Sequence, residues 1–159
     1  AFDVILADTA VDDQTTAGTT NTDMTASLAV AMEAAVLAAG GNLANSAYAM
    51  SPEAFKLAKN VAQVASVSAL YELSNNTFNG YRAVATPYLV DASGPLGQMV
   101  FGNFQQGLLL AYFGGLDLLV DPYSAAGNAQ VTLHVNRFFD VAVRQPGAFS
   151  ICKDIEAAS

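Results

Sequence analysis

The sequence predicts an α+β fold in which helices flank an antiparallel or mixed sheet and the chain finishes on one long β-strand. Three observations carry the prediction. Two helix starts stand behind small polar caps, near Thr22 and at Ser51; short apolar runs punctuated by Gly, Asn and Pro lie between residues 47 and 120; and apolar and polar residues alternate from Ala129 to Arg144. At 159 residues the chain fits one domain with one core.

Residues 12 to 22, Asp-Asp-Gln-Thr-Thr-Ala-Gly-Thr-Thr-Asn-Thr, are small and polar with no apolar period, and read as a loop. Thr22 then stands as an N-cap with Asp23 in the first turn. Met24, Leu28, Ala31, Ala35 and Leu37 or Ala39 follow at near-helical spacing until Gly40 and Gly41 stop the helix. Its alanine-rich face suits close approach of a neighbouring sheet or helix. A short strand, Ala47 to Met50, precedes Ser51-Pro52-Glu53, an N-cap serine with proline at the first helical position, and this second helix runs to about Lys59. Residues 60 to 79 satisfy two readings: Val61, Val64, Val67 and Leu70 fit a helix, while the β-branched content and Ser66, Ser68, Asn75 and Asn76 fit loops and short strands. Asn79-Gly80 signals a turn into a strand from Tyr81 to Thr86, which Pro87 ends.

After a loop from Asp91 to Gly97, Gln98 to Phe101 reads as a strand, and Gly102-Asn103-Phe104 breaks the pattern before Leu108 to Phe113 resumes it. Gly114-Gly115 is expected to supply a two-residue β-turn, returning the chain through Leu116, Leu118 and Val120 to Asp121-Pro122. From Ala129 the odd positions are Val131, Leu133, Val135, Arg137, Phe139, Val141 and Val143, against mainly polar even positions. At ~3.4 Å per residue such a strand reaches about 50 Å, well beyond the common strand of about 5–6 residues. That length suits pairing beyond a compact domain of this size.

Composition narrows the function classes. Apolar residues make up 53% and charged residues 13%, a greasy balance that points to surface buried against partners. No apolar run approaches the ~18 residues needed to span a bilayer. The opening Ala1-Phe2-Asp3-Val4 lacks the basic start and apolar core of a signal peptide, so a processed or truncated chain is expected. The net charge of −8 comes from 14 acidic and 6 basic side chains, and every charged residue before Lys56 is acidic. Direct nucleic-acid binding needs clustered Lys and Arg, and this balance argues against it.

The search for chemistry returns no catalytic, cofactor-binding or metal-ligating residue. Cys152 is the lone cysteine, which excludes an intrachain disulfide and a multi-thiolate site; between Ile151 and Lys153 it reads as a buried packing residue. His134, the lone histidine, lies on the polar face of the long strand with no Gly-x-Ser-x-Gly elbow or neighbouring cysteine, and reads as an exposed or interface residue. The acidic pairs Asp12/Asp13, Asp117/Asp121 and Asp154/Glu156 have no specific spacing; Asp117 and Asp121 share a strand face but lie too far apart to chelate one ion. The glycine pairs form no phosphate-binding loop, and Asn75-Asn76-Thr77, a glycosylation-type tripeptide without a secretory signal, reads as a loop.

From Ser51 onward four stretches occur in a telling order: Met50-Ser51-Pro52-Glu53-Ala54-Phe55, Phe78-Asn79-Gly80-Tyr81-Arg82-Ala83-Val84, Val100-Phe101-Gly102-Asn103-Phe104, and Phe138-Phe139-Asp140-Val141-Ala142-Val143-Arg144-Gln145-Pro146-Gly147-Ala148-Phe149. Together they resemble the C-terminal half of tailed-phage major capsid proteins, the Hong Kong ninety-seven capsid fold. The resemblance implies an axial domain over most of residues 1–115, partial peripheral-domain strands over 116–145, and a return strand to the axial domain with a tail over 146–159. It also implies that the N-terminal arm, extended loop and spine helix of the family lie outside this sequence.

On the same resemblance the chain is a structural piece, not an enzyme, that self-assembles into the icosahedral head of a phage or prophage. It would assemble in the bacterial host cytoplasm and reside in the virion. Its expected partners are copies of itself, through Asn60 to Asn79 near the capsomer axis and through the strand Ala129 to Arg144, with no direct nucleic acid, membrane or cofactor. Subunit cross-linking is not carried over: Asn128 lies near the acceptor position of cross-linking relatives, but no acidic catalyst matches. The alternatives are an encapsulin-like compartment shell, which shares the fold, and a small α/β hydrolase or binding module.

Overall fold

A computed structural model of the protein describes residues 2–14, 22–60, 71–72, 76–89, 96–124 and 126–156. The chain divides into two units, Ala1–Leu108 with Val143–Ser159, and Leu109–Ala142.

The first unit opens with α1 (Phe2–Ala7), a short helix without a cap signal in the sequence, which buries Ile5. Two short strands follow, β1 (Asp12–Asp13) and β2 (Thr22–Asp23), and both pair in parallel with the last strand of the chain. The expected loop over 12 to 22 is thus corrected at both ends, because ladder pairing uses backbone groups and asks nothing of side-chain polarity; residues 15–21 lie outside the described residues. With Thr22 drawn into β2, the helix cap is Thr25 rather than Thr22, its hydroxyl accepting from Leu28 N at 3.3 Å, and α2 runs Ala26–Ala38. The helix closes with Gly40 N donating to Leu37 O and Gly41 N to Val36 O, a Schellman end. Its buried stripe is Leu28, Ala29, Met32 and Val36, whereas Leu37 is 57% exposed. In a helix where nearly every residue is apolar, spacing alone does not choose the face.

β3 (Ala47–Met50) and α3 (Pro52–Ala58) fall where the sequence predicts them. Ser51 is buried, and its Oγ accepts from Ala54 N (3.2 Å) as the helix cap and from Gln98 N (3.0 Å) across the fold. Ser51→Ala removes both acceptors and leaves two amide donors without them. A loss of about 2–3 kcal/mol is expected, read as a lower urea midpoint at unchanged slope; a midpoint equal to the parent's would show that neither bond matters.

β4 (Tyr71–Glu72) pairs with β5 (Thr77–Phe78), and β5 turns into β6 (Tyr81–Ala85) through Asn79 (φ 48°) and Gly80 (φ 83°), the doubly left-handed pair of a type I′ turn. Residues 61–70 and 73–75 of the undecided stretch lie outside the described residues, as does Asn75 of the glycosylation-type tripeptide. β7 (Gly97–Gly102) is buried at every position. Its first residue is a glycine because a Cβ there would lie 2.8 Å from the Ala54 backbone nitrogen, so α3 seats directly on the strand. A one-turn helix, α4 (Phe104–Gly107), follows behind Asn103, whose Oδ1 accepts from Gln106 N at 3.1 Å.

After β8 (Leu108–Asp121) and β9 (Thr132–Val143), the chain returns through a 3-10 turn at Pro146–Ala148 into β10 (Phe149–Glu156). The strand order of the first unit's mixed sheet is β1-β10-β7-β3-β6-β5-β4, with β2 also on β10. β7 lies antiparallel between β10 and β3, and β3 pairs in parallel with β6. Alternation along these central strands builds a core on each face. Tyr48, Met50, Met99 and Phe101 join α2 and α3 in one cluster, while Ala49, Val100, Phe149 and Ile151 join Ile5 of α1 in the other. A register shift between Cys152 and Ile155, with Asp154 at φ 59°, reverses the parity so that both Cys152 and Ile155 face the first cluster.

The second unit is the two-stranded β8–β9 ribbon. The two-residue turn expected at Gly114-Gly115 is corrected: β8 passes straight through it for 14 residues. Gly114 takes a positive φ (71°), but the backbone stays in strand conformation on both sides of the pair and no reversal falls there. Leu116, Leu118 and Val120 therefore continue β8 rather than forming a return strand, and the reversal lies between Asp121 and Thr132, around the 3-10 turn at Ala126–Asn128. The long strand expected over Ala129 to Arg144 is present as β9, 12 residues from Thr132 to Val143.

Candidate assembly surface

The residues singled out in the sequence stand apart from one another. Cys152 is fully buried in the core, and His134 and Asn128 are exposed. Asp12 Oδ2 accepts from Gln14 Nε2 (2.6 Å) and Ser150 Oγ (3.0 Å), whereas Asp13 pairs with Lys153 at 3.3 Å, so these adjacent carboxylates are committed to separate partners. Asp154 occupies the bulge of β10 and Glu156 ends that strand. Asp117 is exposed along β8; Asp121 ends it, accepting from Tyr123 N (2.8 Å), Ser124 N (3.1 Å) and the Ser124 hydroxyl. The Ser124 hydroxyl bond, then the two backbone bonds, hold the Asp121 carboxyl below the usual carboxylate range. Its role is to shape the ribbon's loop. Among the described residues no group of three or more His, Cys, Asp or Glu gathers at metal-ligating range.

One polar cluster escaped sequence reasoning. The Tyr48 hydroxyl donates to Glu33 Oε1 at 2.7 Å, with Ala29 O 3.2 Å away, and Asn79 Nδ2 donates to the same Glu33 oxygen at 2.7 Å. Burial, then the Glu33 carboxylate, raise the Tyr48 phenol far above its ordinary value, so it stays a neutral donor. The cluster ties α2, β3 and the β5–β6 turn together. Its members are separated by 15 and 46 residues along the chain, and no local spacing announces it.

The extended apolar surface belongs to the ribbon. Leu109, Leu110, Tyr112, Phe113, Leu118 and Leu119 of β8 and Leu133 and Val135 of β9 are all exposed; Phe138 is 70% and Phe139 65% exposed. Arg137 lies over the Tyr112 ring at 4.1 Å, a cation–π contact that covers one face of that ring. Patches of this extent on soluble proteins mark interaction sites.

The first unit's mixed sheet between helix layers and the long two-stranded ribbon define the Hong Kong ninety-seven type of capsid fold. The capsid of a native GTA particle superposes with a TM-score of 0.65 at 19% identity, covering 92% of this chain and 50% of that one. The Mycobacterium phage Che8 structure gives 0.64 at 14% identity, covering 94% and 55%, and that of Gordonia phage Cozz 0.59 at 18%, covering 97% and 52%. The chain spans about half the length of these relatives. No curated protein matches it in sequence. Residues 5–154 match the phage capsid family, and the chain belongs to that family. The compartment-shell and hydrolase alternatives are not favoured by this match.

Proposed function

We propose that this protein is a shell subunit of a tailed-phage or prophage head, working by self-association and catalysing no reaction. It would assemble in the bacterial cytoplasm and reside in the virion. Most of residues 1–115 would form an axial domain, 116–145 peripheral-domain strands, and 146–159 the return strand and tail. Contacts between copies would use the ribbon and the stretch from Asn60 to Asn79.

The carrying observation is the ribbon. Two strands alone are marginally stable in water, and these leave large apolar side chains half exposed on both strands. Burying that surface against other subunits supplies the association free energy, at about 25 cal/mol per Å². Expressed from its complete reading frame, the protein is expected to form large closed particles, seen by light scattering and negative-stain microscopy. Persistent monomers at high concentration would overturn the reading.

A further inference from the structure

We infer that Glu33 positions the outer hairpin of the first unit's sheet for contact with a second copy, an inference that rests on the self-association reading above and adds to it the residue that sets the geometry of the contact.

Beyond β6 the sheet is thinly held. β5 pairs with β6 through Thr77 with Arg82 and Phe78 with Tyr81, and β4 pairs with β5 through Tyr71 with Phe78 and Glu72 with Thr77. Ladders this short hold a strand weakly, since even an isolated hairpin is marginal in water. The hairpin closes the stretch from Asn60 to Asn79. β4 also ends the strand order, and among the described residues its strand partner is β5, so its far edge carries backbone groups with which a strand of a second copy can pair. Such an edge serves assembly only when it is held in place, because backbone hydrogen bonds form over about 2.7–3.2 Å.

Two anchors hold the hairpin on Tyr48, a residue of β3 that stands between Ala83 of β6 and Phe101 of β7. The first is apolar. Phe78 is fully buried, its ring centre 5.0 Å from that of Tyr48 and the planes at 84°. Apolar burial is non-directional and by itself sets no angle. The second anchor is polar: Glu33 Oε1 accepts from the Tyr48 hydroxyl and from Asn79 Nδ2, both at 2.7 Å, so one carboxylate oxygen joins the middle of the sheet to the turn of the hairpin. Hydrogen bonds to an ionised group are shorter than neutral ones and roughly twice as strong. Asn79 carries φ 48° in the turn itself, so fixing its amide fixes the turn.

The arrangement separates positioning from stability. The Tyr48 hydroxyl has a second acceptor, Ala29 O at 3.2 Å, one turn before Glu33 on α2. Removing the Glu33 carboxylate therefore leaves the buried hydroxyl paired, while the Asn79 amide loses this acceptor. Glu33 and Asn79 are both half-buried, so water can take up the amide. The cost falls on the hairpin rather than on the core.

The test uses the whole chain, expressed from its complete reading frame, with Glu33→Ala, Asn79→Gly, the two combined, and Glu33→Gln. Glycine tolerates the positive φ of the turn and deletes only the side chain. Hydrogen exchange reads the hairpin at the Ala83 amide, which donates to Asn76 O at 2.7 Å, and global stability at the Val100 and Phe101 amides of β7; light scattering reads the concentration at which particles form. Glu33→Ala and Asn79→Gly are each expected to speed exchange at Ala83 and to raise that concentration by at least ~10-fold, the effect of one lost hydrogen bond to a charged group, with β7 unchanged. The combined variant should do no more than the stronger single one, because both remove the same bond. Glu33→Gln keeps an acceptor oxygen and should recover most of the parent's assembly. Unchanged exchange at Ala83, exchange that quickens at β7 as much as at Ala83, folded variants that assemble like the parent, additive losses in the combined variant, or a Glu33→Gln chain as impaired as Glu33→Ala would each overturn the positioning role while leaving self-association standing. A parent chain that forms no particles at any concentration would overturn the self-association reading itself.

Discussion

Phe101→Ala is expected to destabilise the first unit by about 4 kcal/mol, the range for deleting a buried aromatic ring and leaving its cavity. Phe101 is fully buried on β7, between β3 and β10, where it stands opposite Tyr48 and Ser150. Its ring centre lies 4.4 Å from that of Tyr48 and 5.2 Å from that of Tyr81, and Tyr48 in turn meets Phe78 at 5.0 Å. The cavity would open inside this aromatic cluster, whose members are held by strand pairing and cannot slide in to fill it. A loss of that size is a large share of the roughly 5–15 kcal/mol that holds a domain together, and should lower the melting temperature by about 8–16 °C. Scanning calorimetry would read it directly; a loss under about 1 kcal/mol would mean that the ring is not part of a close-packed interior.

Val135→Asp combined with Phe139→Asp should abolish particle formation while leaving the stability of the first unit within about 0.5 kcal/mol of the parent. Both residues sit on β9 at the same parity, so both face one side of the ribbon, and they are 55% and 65% exposed. Charge there costs little in an isolated chain, since water already reaches those positions. In an assembled shell the same carboxylates would be buried without partners, a penalty of several kcal/mol per ion at each interface. Light scattering should show the parent as particles and the double variant as small species, with matching urea transitions. Particles of normal size from the variant would remove the ribbon from the assembly contacts.

The legible parts of this fold are those written in local chemistry. Ser51-Pro52 announces its helix because the hydroxyl cap and the fixed φ of proline act within one turn, and Asn79-Gly80 announces its hairpin because few other residues accept two successive positive φ angles. The alternation in β9 is legible because a strand exposes one side chain in two to each face. The candidate site was legible only in outline. An exposed apolar strand of unusual length pointed to association, but the second strand of the ribbon was cut in two by reading Gly114-Gly115 as a turn. A glycine pair permits a turn without requiring one, and here β8, paired with β9 in a two-stranded sheet, runs on through both residues.

By itself the sequence determined the α+β class, the caps and turns, the long strand, the acidic balance and the likeness to capsid proteins, all of which depend on residues close together along the chain. Tertiary structure alone decided the rest. It made strands of Asp12–Asp13 and Thr22–Asp23, because the edge of β10 offers them backbone partners. It chose the buried stripe of an alanine-rich helix and joined Glu33 to Tyr48 and Asn79. Each of these is a pairing between distant segments, and its free energy exists only once chain folding has brought both partners together.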